Sequence, residues 1–220
     1  MKRVAVVTGS SGGIGGAIVD RLSAEYRIVP IDLSHGIDAA DSEQVEAALG
    51  EVETLDALVH AAGTVGKDSL SSITLERWHE VLDGSLTSAF VVTKAAMPKL
   101  KRSPSAGIVY ISSVMARHGG NDISGPAYAV AKAGIVALAM NAAKHLAPNV
   151  RANVIAPGPV RTAMVDRLTP EELESVLSKM PLHRVAEPAE IAGTVEFLLG
   201  DAARNITGAV IDINGGMWMG

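Results

Sequence analysis

Val7 to Ala17 reads "VTGSSGGIGGA", and it closes a β-branched run, "RVAVVT" over residues 3–8. A short apolar run broken by glycines and leading into a helical pattern over about 13–25 predicts a strand, a tight turn and a helix. Gly9, Gly13 and Gly15 are spaced Gly-x-x-x-Gly-x-Gly. Glycine permits the turn and lets the backbone approach a pyrophosphate held at the helix N-terminus. Glycine-rich turns are common, so the weight of this loop depends on the rest of the chain.

Strand–helix alternation continues from this loop almost to the C-terminus. Further candidate strands are "RIVPID" (27–32), "LDALVH" (55–60), "GIVYIS" (107–112), "VRANVIA" (150–156) and "GAVIDI" (208–213). Helical patterns fall at about 42–49, 74–101, 126–147 and 188–199. Continuous apolar strands imply a sheet covered on both faces, and alternation implies parallel order. Right-handed crossovers then give an α/β fold with one doubly wound parallel sheet. The whole of residues 1–220 reads as a single dinucleotide-binding catalytic domain. "DSEQ" from Asp41 reads as a helix cap, and Pro126 opens the helix after it. In such a sheet, ligands bind at the carboxyl ends of the strands.

The second strand ends in Asp32, 23 residues after Gly9. A carboxylate there can hydrogen-bond a ribose diol and would repel a 2'-phosphate, which points to NAD rather than its phosphorylated form. Ser11, Gly12 and Leu33 offer no positive charge to such a phosphate. The plainer reading is that Asp32 caps a loop. A rival also exists in Gly9-Ser10-Ser11-Gly12-Gly13, which fits the Gly-x-Ser-x-Gly nucleophile elbow of esterases. That site draws oxyanion donors from a loop earlier in the chain, and only ten residues precede Ser11. The hydrolase reading fails on order.

Composition narrows the field further. Apolar residues make up 48% and charged residues 20%, the balance of a globular protein. The net charge of -5 argues against a nucleic-acid surface. With no cysteine and no metal spacing among the six histidines, no metal site is expected. The apolar opening breaks at Thr8-Gly9, too early for an exported or membrane-spanning segment, so a cytoplasmic protein is expected.

"YAVAK" puts Tyr128 and Lys132 four apart, on one helix face. A phenol titrating near 10 is a poor base at neutral pH, and a nearby ammonium favours its phenolate. Ser113 comes just after the fourth strand, where its hydroxyl can hold a substrate oxygen in the same crevice. Alone, a Tyr/Lys pair would be surface packing; beside a nucleotide loop it reads as acid/base machinery.

These pieces together resemble the short-chain dehydrogenase/reductase family over essentially the whole chain. The likeness rests on Thr8 to Gly15, "GIVYISS", "YAVAK", "NVIAPGPVRT" and "ITGAVIDINGG" in the right order. The resemblance implies that Tyr128 is the general acid/base, Lys132 its electrostatic partner and ribose ligand, and Ser113 the group orienting the substrate oxygen. It implies cofactor contacts from Thr8, Gly9, Ser11, Gly13, Ile14, Gly15, Asp32, Ala62, Gly63, Pro157, Gly158, Val160 and Thr162, with Asp38 by the adenine. It also implies a homotetramer, for which the helices at 74–101 and 126–147 are candidate interfaces.

Three departures stand out. "HAAG" at His60 replaces the usual Asn-Asn-Ala-Gly, and His60 reads as a satisfied loop residue. Seven residues after Trp78, where the family places an active-site Asn, stands Ser85, a weak site candidate that offers one hydroxyl in place of an amide. Ser113 and Tyr128 are 15 apart, about two more than usual, which enlarges the loop "MARHGGNDISGP". His118 and Asn121 there are candidate substrate contacts, although exposed polarity explains them equally.

The reading is an NAD-dependent oxidoreductase acting on a secondary alcohol or ketone. One alternative is a 3-oxoacyl thioester reductase, although such enzymes usually favour the phosphorylated cofactor and Asp32 speaks against it. A second is a weakly catalytic NAD-binding sensor or scaffold, favoured only by Ser85. Residues 162–187 are the expected substrate lid, with Met164, Leu168, Leu173, Leu177 and Met180 as an apolar roof or, equally, as buried packing.

Overall fold

The computed structural model describes residues 2–121 and 123–220; Asp122, in the enlarged loop, and Met1 lie outside it. Six parallel strands form one sheet in the order β2-β1-β3-β4-β5-β6. They are β1 (Arg3–Thr8), β2 (Tyr26–Ile31), β3 (Ala57–His60), β4 (Ala106–Ile111), β5 (Val150–Pro157) and β6 (Val210–Ile213). All six expected strands form, within two residues of their predicted starts and ends.

Alternation along the strands divides the core. Ala5, Val7, Val59, Val109 and Ile155 face one side of the sheet, with Ile18 and Leu22 of α1 (Gly13–Leu22) and Ile191, Val195 and Leu198 of α8 (Pro188–Leu199). Val6, Leu58, Ile108, Tyr110 and Val154 face the other. There they meet α2 (Ser42–Ala48), α4 (Ser88–Leu100) and α6 (Gly125–Leu146). Strands β3 and β4 are buried at every residue, so their apolar runs need no polar alternation. Truncating a fully buried member such as Leu58 to Ala would remove about 2–5 kcal/mol. Pro30 is accommodated because β2 is an edge strand, with no further neighbour to which an N–H is owed.

The chain runs from β1 outward to β2 and then returns to lay β3 on β1's other side. Strand order therefore reverses between β1 and β3, and a crevice opens above their carboxyl ends. The Thr8 hydroxyl ties the two strand ends together by accepting the N–H groups of Ala61 and Ala62, each at 3.1 Å.

The helix expected over 74–101 is interrupted. It consists of α3 (Leu75–Leu82), a π-turn over Asp83–Thr87, and α4. The N–H of Ser88 reaches back five residues to the Asp83 carbonyl. Such a turn inserts one extra residue and rotates everything after it. Among the described residues two short α-helices lacked a sequence prediction, α5 (Met115–His118) and α7 (Pro170–Leu177), as did the 3-10 turns at Leu33–His35, Val165–Arg167 and Asp201–Ala203.

Candidate active site

The glycine loop is built as a cradle. Gly9 has a φ of 63°, and a Cβ on it would lie 2.8 Å from the Ala62 nitrogen. A Cβ at Gly15 would collide with the Gly9 carbonyl, and one at Gly13 would lie 2.6 Å from the Thr162 methyl. The N-cap of α1, Gly12, has no side chain to occupy the first-turn N–H groups. They face the crevice end of the helix, a ready anion site. The Ser10 hydroxyl is buried in this loop with no hydrogen-bond partner among the described residues. A glycine cradle and unfilled donors are what a dinucleotide pyrophosphate requires, so the residues present fit that group.

Asp32 caps the short turn after β2 and also grips the glycine loop. One carboxylate oxygen accepts from the Ser34 N–H at 2.9 Å, the other from the Ser11 N–H at 3.1 Å. Burial works to raise its pKa, but the hydrogen bonds from Ser34 and Ser11 outweigh it and hold the carboxyl below its ordinary value. The capping reading and the ribose reading are thus compatible: the cap fixes the carboxylate at the loop. Asp38 is exposed, accepts the Ala40 N–H at 2.8 Å and is not among the residues lining the cavity. Asp41 caps α2, accepting from Glu43 and Gln44.

A cavity of about 200 Å³ lies beside the cradle. Ser113, Tyr128 and Lys132 line it together with Ile14, Gly63, Pro157, Gly158, Val160 and Thr162. The end of β4 sets this geometry. The Lys132 ammonium donates to the Ile111 carbonyl at 2.8 Å, and the Ser112 hydroxyl donates to the Lys132 carbonyl at 2.8 Å. The nitrogen sits 5.6 Å from the centre of the Tyr128 ring. Ser113 accepts from the Met115 N–H at 3.1 Å.

The electrostatics differ from the simple expectation. Burial raises the Tyr128 phenol, offset in part by its hydrogen bond with Ser113, so the ammonium does not set the direction. Burial also pushes Lys132 down to about 8. One of the three Lys132 donors goes to Ile111, and none reaches the phenol.

Ser85 is fully buried in the π-turn. Its hydroxyl accepts from the Thr64 N–H at 3.0 Å. A methyl added to Gly63 would lie 3.1 Å from the Lys132 nitrogen and 3.5 Å from the Ser85 oxygen, so this serine borders the lysine's chamber. Gly84 is required because a Cβ there would strike the Thr64 hydroxyl. His60 is not a loop residue: it ends β3, wholly buried.

The roof is partly as expected. Met164 and Leu168 line the cavity, as do Val165 and Val176, whereas Leu173, Leu177 and Met180 do not. Met180 instead lines a second depression with Leu182 and Asp212. Asn121 lines the active cavity, but its carbonyl oxygen is committed to Ile123 and Ser124. His118 packs edge-on against Trp218, with ring centres 5.5 Å apart. Met217 joins the lining from the far end of the chain, a contribution no local pattern announces. Among the described residues no cluster of His, Asp and Glu is arranged to hold a metal ion.

Comparison with known proteins concerns the chain as a whole. The family model described as "Enoyl-(Acyl carrier protein) reductase" matches residues 9–218. The chain is 35% identical over 236 residues to the 3-oxoacyl-[acyl-carrier-protein] reductase MabA of Mycobacterium tuberculosis, covering all of this chain and 94% of that protein. It is 33% identical over 246 residues to the 3-oxoacyl-[acyl-carrier-protein] reductase FabG of Staphylococcus aureus, covering all of this chain and 99% of that one. Among solved structures, a short-chain dehydrogenase/reductase described as a glucose/ribitol dehydrogenase from Brucella melitensis superposes over the full length of both chains, with a TM-score of 0.92 and 27% identity.

Proposed function

The chain belongs to the short-chain dehydrogenase/reductase family of oxidoreductases, and from that premise we propose that it interconverts a secondary alcohol and a ketone with NAD, using Tyr128 as general acid/base. The observation that carries the reading is the convergence of Ser113, Tyr128 and Lys132 on one cavity that also touches the glycine cradle through Ile14 and Thr162.

The bound nicotinamide supplies the hydride chemistry, and the protein does the rest. The first-turn N–H groups of α1 hold the pyrophosphate, and Asp32 accepts from the ribose diol. Pro157, Gly158, Val160 and Thr162, which line the cavity, would hold the nicotinamide end. Ser113 holds the substrate oxygen next to the Tyr128 hydroxyl. In the oxidative direction the alcohol proton passes to the phenolate oxygen; in the reductive direction the phenol returns it to the carbonyl oxygen. A positive Lys132 lowers the energy of the phenolate, each tenfold change being about 1.4 kcal/mol. Gly63 packs beside that ammonium, and the Ile111 carbonyl accepts from it.

Selection of NAD over its phosphorylated form rests on Asp32. Its hydrogen bonds keep it ionised at neutral pH and fix it at the loop, so a 2'-phosphate would meet a negative charge.

The cavity wall favours a neutral, apolar substrate. Val114, Met115, Ile123, Met164, Val165 and Met217 surround Ser113, Tyr128 and Lys132, and of the other polar lining residues Ser112, Asn121 and Ser124 already hydrogen-bond within the protein. A polyol would leave hydroxyls unpaired there, at about 1–3 kcal/mol each. The same wall supports a second reading, reduction of a 3-oxoacyl thioester, which is the activity named for the Mycobacterium and Staphylococcus relatives. A homotetramer is proposed as well, supported by Phe90 on α4 and by Val130 and Met140 on α6, all apolar and exposed.

The test is turnover of purified protein with NAD or NADP against secondary alcohols, sugars, simple ketones and a 3-oxoacyl thioester, monitored by nicotinamide absorbance. Activity on the apolar substrates supports the reading. Tight NAD binding with no turnover on any of them overturns it.

A further inference from the structure

His60 and Ser85 are the two positions where this chain departs most from the pattern it otherwise keeps, and the fold joins them. The His60 Nε2 lies 3.0 Å from the Ser88 hydroxyl oxygen. That hydroxyl lies 3.1 Å from the Gly84 carbonyl and 3.2 Å from the Ser85 carbonyl, both within the π-turn. The Ser85 side chain in turn clasps Thr64, accepting its N–H at 3.0 Å and reaching its carbonyl at 3.4 Å. Thr64 is the residue after Gly63, the wall against which Lys132 and Ser85 both rest.

Proton counting orients this chain. A serine has one proton to give. Spent on the π-turn carbonyls, it leaves Nε2 to be the donor; burial holds the imidazole neutral, so its one proton sits on Nε2. Its Nδ1 is then a bare acceptor, buried without a partner among the described residues. The opposite assignment would strand a buried N–H, which proteins tolerate less well than a spare acceptor.

We propose that His60 is a positioning residue for the active site. Through Ser88 it fixes the π-turn, the π-turn fixes Ser85, and Ser85 fixes the Gly63–Thr64 wall that encloses Lys132. His60, Ser88 and Ser85 are not among the residues lining the cavity, so they act on it only through Gly63 and Lys132. This chain of contacts determines how dry and how constrained the lysine is, and thereby the proton affinity of the Tyr128–Lys132 pair. The titratable groups around Lys132 are Tyr128 on its own helix and His60 from β3, with Tyr110 of β4 lying 6.4 Å from the His60 ring.

The experiment compares His60→Gln, whose amide can donate where Nε2–H does, with His60→Leu, which fills the space without a donor, and with Ser88→Ala. Lys132 is titrated in the cofactor-free protein by carbon NMR of its terminal methylene, and kcat, KM for NAD and the pH profile are measured in parallel. The proposal predicts that His60→Leu and Ser88→Ala move the Lys132 titration upward from about 8. They also lower kcat at least ~5-fold with KM for NAD nearly unchanged, whereas His60→Gln stays near wild type. A packing role predicts the reverse order, with Leu tolerated and Gln damaged; that result, or an unmoved titration in all three, overturns the proposal. This inference rests on the proposed oxidoreductase reading for its kinetic arm only. If wild type turned over no substrate, that reading would fail and the NMR titration would still decide the role of His60.

Discussion

The Lys132 ammonium donates to the Ile111 carbonyl at 2.8 Å, and burial leaves it titrating near 8. An unfolded chain keeps that proton up to about 10.4. Between the two values the unfolded state binds a proton the folded state has lost, so stability rises with pH through this window. At pH 7 the buried charge is present and costs on the order of 3 kcal/mol. Lys132→Met should therefore abolish turnover while raising the melting temperature at pH 7, and should flatten the rise in stability above pH 8. Thermal melts at pH 7 and 9.5 check both halves.

His60 gives the opposite end of the pH scale. Burial, with the Lys132 charge adding to it, pushes the imidazole down to about 3. Unfolded, it would take a proton near 6.5. Stability should fall as pH drops from 6.5 toward 3, by up to roughly 4 kcal/mol from this group alone. His60→Gln should remove most of that slope in denaturant titrations between pH 4 and 7.

Asp32 joins β2 to the glycine loop through Ser11 and Ser34. Replacing it with Ala removes the repulsion of a 2'-phosphate and the grip on the loop at once. The kcat/KM ratio of NAD to NADP should drop by about 10- to 100-fold, about 1.4–3 kcal/mol, with NAD itself bound more weakly. Asp32→Asn keeps part of the grip and should lose mainly the discrimination. Steady-state kinetics with both cofactors separate the two effects.

The cradle makes a steric prediction. A Cβ at Gly13 would lie 2.6 Å from the Thr162 methyl. Gly13→Ala should raise the dissociation constant for NAD at least ~10-fold while leaving the fold intact, because α1 otherwise tolerates alanine well. Adding Thr162→Ser, which removes the opposing methyl, should recover part of that loss. Calorimetric binding to the single and double variants measures the coupling.

The architecture was legible because its signals are local. Six β-branched runs and a glycine turn name the strands, and Asp41 and Pro126 mark helix starts that the fold respects. The start of α7 is also written plainly in the sequence: Thr169 and Glu172 form a capping box, a Ser/Thr-x-x-Glu signature that a reading of 162–187 as a lid passes over. The π-turn was hidden, since a five-residue hydrogen bond depends on Gly84 fitting against Thr64 and not on periodicity. Ser112 looks in sequence like a companion of Ser113, yet its hydroxyl anchors α6 at Lys132. His60 closes the predicted strand "LDALVH", yet its burial was not legible, because nothing in "HAAG" tells that β3 ends in the core. The lysine's role as donor to Ile111 was equally out of reach, because it depends on where β4 stops.

The central claim is that the Tyr128 hydroxyl moves the substrate's proton, and the most direct measurement is Tyr128→Phe assayed beside wild type on the best apolar alcohol at saturating NAD. The Phe ring fills the same space and removes only the oxygen. The expected result is a fall in kcat of about 10²–10⁴-fold with NAD affinity held within a few-fold. A Tyr128→Phe protein that turns over at a rate comparable to wild type would contradict it.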